Sequence, residues 1–168
     1  MLKLYKRFLC LLVAVAGVVL LQNSAKADYN DLLYDEQYQV ESPRLTKFVQ
    51  PNTRQSEFTH MFRTRIRNAG KNDYPNFAGH YIITTWGCGS SCQYGAIIDA
   101  TNGHVLELPI AYYGHEYNLE SRLLVVNPVG PYDPECSSMH DIDLKVEYWV
   151  ISKNKLELIG TELPQCRN

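Results

Sequence analysis

From His80 to Gly160 the chain is a series of short β-branched and aromatic runs separated by turn residues, and this punctuation restricts it to hairpins. The runs are His80–Trp86, Gln93–Asp99, His104–Pro109, Arg122–Asn127, Leu144–Ser152 and Leu156–Gly160. Thr101-Asn102-Gly103 divides two of them, and Asn-Gly tolerates the positive φ of a type I′ turn. Lys153-Asn154 makes a second tight turn. Val129–Asp141 holds Gly130, Pro131, Pro134 and Cys136 and reads as a long loop pinned by a cysteine. About six strands joined this way imply antiparallel pairing. The Asp-Ala-Thr-Asn-Gly hairpin looks like a propeller blade, but no repeat period runs through the chain, and so few strands close no ring.

One helix is expected over Ser56–Ala69. Phe58, Met61, Phe62, Ile66 and Ala69 share a face at three- and four-residue steps, Ser56 can cap the start and Gly70 can end it. Arg63, Arg65 and Arg67 fall on the solvent side. The expected fold class is therefore α+β, mostly β: an antiparallel sheet of about six strands with hairpins and one amphipathic helix packed on it, stapled by disulfides. Residues 28–55 read as an irregular lead-in with a short strand near Arg44–Gln50, and 56–168 as a single domain.

The N-terminus sets the compartment. Lys3, Lys6 and Arg7 precede an uncharged apolar run, Phe8–Leu21, and Ala25-Lys26-Ala27 puts small residues where a signal peptidase reads. Residues 1–27 are read as a cleavable secretory signal, since the run falls short of the roughly 20 residues a spanning helix needs. Cys10 lies inside the run, where lipid attachment does not occur. Cleavage removes Lys3, Lys6, Arg7 and Lys26 and leaves 12 basic against 18 acidic residues, a net charge of −6. That balance excludes a phosphate-dominated nucleic-acid binder and offers no basic face to anionic lipid. The expected location is the periplasm or outside the cell, free of the membrane after cleavage. Cys88, Cys92, Cys136 and Cys166 remain, and an even number in an exported chain implies two disulfides. Of three pairings, Cys88–Cys92 with Cys136–Cys166 is favoured: the first pair is close and flanked by Gly87 and Gly89, and the second ties the tail to the body.

Trp86-Gly87-Cys88-Gly89-Ser90-Ser91-Cys92-Gln93 is the most unusual stretch. A thiolate nucleophile here would need a base from His80, His104, His115 or His140. Cys-Gly-Ser-Ser-Cys has a likeness to the papain-type signature, with one serine too many, no aromatic after the second cysteine and strands in place of a helix start. Thiol–disulfide exchange normally spaces its cysteines by two residues at a helix N-terminus, and here the spacing is three. Zinc would need Cys88, Cys92 and two histidines. The remaining reading is a small disulfide loop that shapes a hairpin end and presents a rigid surface.

Tyr112-Tyr113-Gly114-His115-Glu116-Tyr117 is an aromatic loop suited either to contact with a partner or to packing over a sheet edge. His115 and Glu116 would point to opposite faces of a strand and so make a poor acid–base pair. Asp133 and Glu135 could hold calcium, or simply be solvated; His80, at a strand start, reads as a hydrogen-bonded structural histidine. The expected binding surface is Trp86, Ser90, Ser91, Gln93, Tyr112, Tyr113 and His115, with no catalytic residue, metal or cofactor assigned. The leading function is an inhibitor- or immunity-like binding module for another exported or envelope protein. The alternatives are a thiol enzyme using Cys88 or Cys92 with a histidine, and a structural envelope protein.

Asn76-Phe77-Ala78-Gly79-His80-Tyr81, then Trp86-Gly87-Cys88-Gly89, Cys92-Gln93, Ile98-Asp99-Ala100 and Gly103, resembles the motif string of a family of small exported bacterial proteins of uncharacterised activity. Ser121–Val126 and Tyr148-Trp149 fit the same pattern. The resemblance covers roughly Phe58 to Gly160. It implies export and a shared domain, and brings no catalytic residue with it.

Overall fold

The computed structural model describes residues 29–41, 45, 47–90, 92–129 and 144–164. The segment 1–27 expected to be a signal, the expected Cys136–Cys166 pairing, Ser91, Asp133, Glu135 and His140 lie outside the described residues. The described residues are mostly β, with seven antiparallel strands in two sheets. Sheet one has the order β1 (Tyr81–Gly89), β2 (Cys92–Asp99), β3 (Val105–Ala111). Sheet two has the order β4 (His115–Glu116), β5 (Leu123–Val126), β6 (Val146–Ser152), β7 (Lys155–Glu162). The short β4 is the strand that the sequence pattern does not announce.

The layers follow from strand alternation. Ile82, Trp86, Ala96, Ile98 and Val105 form the outer face of sheet one, against Ile66 and Ala69 of the long helix. The opposite face of that sheet, with Tyr81, Ile83, Ile97 and Leu108, packs on Leu124, Val126 and Ile151 of sheet two, with Phe77 between. Beyond sheet two, Leu123, Val125, Val146 and Tyr148 are covered by Leu33 and Val129. Leu33 ends α1 (Tyr29–Leu33), so the lead-in contributes a helical turn to the core. Because sheet two is covered on both faces, Leu123–Val126 is buried at every position rather than alternately.

The expected helix is two. α2 (Glu57–Met61) starts with Ser56, whose hydroxyl accepts from the Thr59 N–H while Thr59 Oγ1 accepts from the Ser56 N–H. The chain kinks at Phe62 (φ −98°, ψ 17°), and α3 (Arg63–Asn72) runs on past Gly70. Gly70 is therefore no stop signal. A Cβ there would meet Pro51 Cγ and Cδ at 2.6 Å, so the glycine permits Pro51 to touch the helix. The kink also turns Met61 out of the apolar face, leaving it 63% exposed.

The Thr101-Asn102-Gly103 turn is not type I′. Only Gly103 takes positive φ (77°). The connection is longer, with the Asp99 N–H donating to His104 O and the Gly103 N–H to Asp99 O. Buried Asp99 organises it, accepting from the Thr101 N–H and the Asn102 amide at 2.8 Å each. The type I′ geometry occurs instead at Lys153-Asn154, φ 48° and 58°, between paired Ser152 and Lys155.

Both outer strands of sheet one are partly closed by side-chain amides. Asn76 accepts from the Ile83 N–H (2.8 Å) and donates to its carbonyl (3.0 Å) on β1. Gln55 does the same for Val105 on β3, at 3.1 and 2.8 Å.

Candidate functional site

The β1–β2 hairpin ends in a tip closed by a Cys88–Cys92 disulfide, with Cα atoms 5.3 Å apart. The register shifts between Gly87 and Gly89, and Gly89 has φ +140°, where a side chain is strained. Gly87, Cys88, Gly89 and Ser90 are all exposed. With both sulfurs in the bond, neither is a thiolate for attack or a ligand for zinc. Among the described residues no group of three or more His, Cys, Asp or Glu could hold a metal ion.

The aromatic loop lies beside this tip. Gln93 pairs with Ala111, and a Cβ on Gly114 would stand 3.9 Å from Gln93 Nε2. Asn127, at φ 56°, holds the loop by accepting from the N–H groups of Tyr112 (2.8 Å) and Tyr113 (3.1 Å). Ser90, Gln93 and Tyr112, the last 48% exposed, therefore share one end of the molecule.

Three residues expected in that surface lie elsewhere. Trp86 is only 8% exposed, in a cluster with Phe58, Phe62 and Tyr94 whose rings lie 5.0 to 6.4 Å from its own. The Arg65 guanidinium lies 5.6 Å from its centroid, so one of the three solvent-side arginines also covers the core. Tyr113 packs against the far face of sheet two. The His115 ring is tucked between the sheets' ends, while Glu116 is exposed on the opposite side of β4.

His115 Nε2 donates to Pro109 O at 2.8 Å, which leaves Nδ1 as a buried lone pair without a partner. Burial pushes its pKa below the usual histidine value, and the Pro109 carbonyl partly opposes this. On acidification the unfolded chain thus takes the proton first, and stability is lost as pH falls below about 6.5. We expect His115→Gln to flatten the dependence between pH 7 and pH 5, by at most about 1.4 kcal/mol per pH unit. Urea melts at both pH values check this, and equal slopes for variant and parent would refute it.

His80 Nε2 sits 3.8 Å from Asp99 Oδ2, and its ring lies against Tyr81 at 4.3 Å between centroids. The Tyr81 hydroxyl donates to Asn154 Oδ1 at 3.0 Å and ties the turn of sheet two to sheet one.

Two concavities escaped the sequence reading. An apolar groove of about 430 Å³ opens between β3 and the β6–β7 hairpin, lined by Leu106, Leu108, Ile110, Trp149 and Leu156. Beyond Asn154, which lines both, lies a basin of about 280 Å³ lined by Asn52, Gln55, Asn102 and His104. The alternating Leu106, Leu108 and Ile110 were the available signal, but an alternating strand reads equally well as closed core. Compared with family models, curated proteins and solved structures, the chain matches none of them.

Proposed function

We propose that this chain is an exported binding module that docks on another exported or envelope protein through the stapled β1–β2 tip. The observation that carries this reading is the exposed Gly87–Ser90 end, locked by Cys88–Cys92, with Gln93 and Tyr112 alongside. A loop already closed by a disulfide loses little further freedom on binding, so less of the contact energy is spent on ordering it. Tyr112 adds broad contact area at low entropic cost. Export rests on the charged start, the apolar run and Ala25-Lys26-Ala27. The thiol-enzyme alternative would require this disulfide to open, and no observation favours it.

The test places a photo-crosslinking amino acid at Ser90, at Tyr112 and, as control, at Tyr74, which is 76% exposed beside Phe48 and lines neither the tip nor the groove. In the native host, Ser90 and Tyr112 should yield an adduct of one shared mass that Tyr74 does not. Cys88→Ser with Cys92→Ser, at a cost of about 2 kcal/mol, should weaken it several-fold while the fold persists. No adduct at either tip position, or the same adduct from Tyr74, overturns the surface. The intact mass of the exported protein should begin at Asp28, and retention of residues 1–27 overturns export.

A further inference from the structure

We propose that the groove between β3 and the β6–β7 hairpin is a second binding site, for an extended peptide strand of a partner protein. The strand would lay alternate apolar side chains into the groove and pair with the backbone of Glu107. This site is separate from the hairpin tip.

β3 is the outer strand of its sheet, and no strand among the described residues pairs with its far edge. On an edge strand every second residue directs both its N–H and its C=O outward. The Asp99 N–H donates to His104 O at 2.8 Å, so His104, Leu106 and Leu108 are the hydrogen-bonded positions toward β2, and Val105, Glu107 and Pro109 face outward. The protein closes two of these three. Gln55 clamps both groups of Val105. Pro109 has no N–H, and His115 occupies its carbonyl. Among the described residues the outward N–H and C=O of Glu107 have no such partner. Glu107 and Pro109 line the groove although their side chains lie on the other face of the strand, so they reach it through their backbone.

The floor beneath this open pair is apolar: Leu106, Leu108 and Ile110 on one wall, Trp149 and Leu156 on the other. Ile110 is 51% exposed, an uncovered apolar residue beside an unpaired backbone. This combination is what strand addition requires: main-chain bonds for affinity and pockets for alternate side chains. An aliphatic chain would fill the same groove but leave Glu107 unsatisfied. The basin at Asn154 receives the polar end of the strand, offering neutral amides and His104.

The experiment uses the purified protein and short capped peptides of the pattern Thr-Xaa-Thr-Xaa-Thr, with Xaa as Val, Leu, Ile or Phe and lysines added for solubility. Amide NMR should show shifts confined to the groove (Leu106–Ile110, Trp149, Asn154–Leu156) and the basin (Asn52, Gln55, Asn102, His104), and at least tenfold slower exchange of the Glu107 N–H. N-methylating the central residue of the best peptide should weaken it at least tenfold, and so should Ile110→Lys, a change at an exposed position that leaves the fold intact. Three results overturn the proposal: no peptide binding; binding that leaves Glu107 exchange unchanged; or binding unaffected by N-methylation. Dodecyl maltoside is the comparator. If it occupies the groove while the peptides do not, the site takes amphiphiles and the strand proposal falls. Ile110→Lys should leave the Ser90 and Tyr112 adducts intact, so failure here is distinguishable from failure of the tip.

Discussion

Replacing Phe77 by alanine is expected to lower the stability of the protein by about 3–5 kcal/mol. Phe77 is fully buried at the junction of the two sheets, with the rings of Tyr81 and Tyr117 at 6.3 and 6.0 Å. Its backbone exchanges hydrogen bonds with Tyr81, at 3.1 and 2.9 Å. The turn that follows is held in an unusual form, with Ala78 and Gly79 at φ 45° and 80°. A truncated side chain would leave a cavity walled by two sheets and an immobile turn, so collapse cannot refill it. Domains of this size have only about 5–15 kcal/mol in total, and the variant should sit near its unfolding threshold. A urea melt followed by tryptophan fluorescence measures the loss, and a value below about 1 kcal/mol would mean that Phe77 does not wedge the sheets apart.

Gly95→Val should be nearly as damaging, for the opposite reason. A Cβ at this position would stand 2.4 Å from the Thr84 carbonyl oxygen and 2.8 Å from Leu108 Cδ2. The leucine can turn, but the carbonyl belongs to the neighbouring strand and cannot yield without breaking the ladder. The expected cost is at or above the top of the roughly 1–3 kcal/mol range for overpacking. Gly87→Ala is the control. Its Cβ would meet nothing within 4 Å, and the melt should move by less than about 0.5 kcal/mol. If the two variants melted alike, the close approach at Gly95 would not be limiting.

The strands were legible because their signal is local. Each β-branched or aromatic run from His80 onward became a strand within a few residues of its expected bounds. What was not legible depends on contacts between distant residues. His115-Glu116 has no strand-like composition and becomes β4 only because Val125 and Val126 lie alongside. Gly70 carries a helix-stop signal, but Pro51, distant in sequence, decides its role. The division into two sheets depends on Asn127 folding the Tyr112–Gly114 crossing, a side-chain task no periodicity reveals. In the candidate site, the paired cysteines announced the tip. Trp86 was grouped with the tip residues that follow it in sequence, although its alternation with Ile82 put it on the helix-bearing face. The groove stayed hidden because its opening depends on which strand is outermost.

The amide clamps on Ile83 and Val105 act as a strand one residue long would have to act. Each satisfies a single residue's N–H and C=O and presents no further row of donors and acceptors beyond itself. A neighbouring chain arriving at either position finds a full stop where a template would be. Sheet one is therefore blocked at those two points, and lateral polymerisation has nowhere to begin there. An amide lost to hydrolysis would put a carboxylate against the backbone carbonyl it had bonded, and the damage would register as new stickiness before it registered as unfolding.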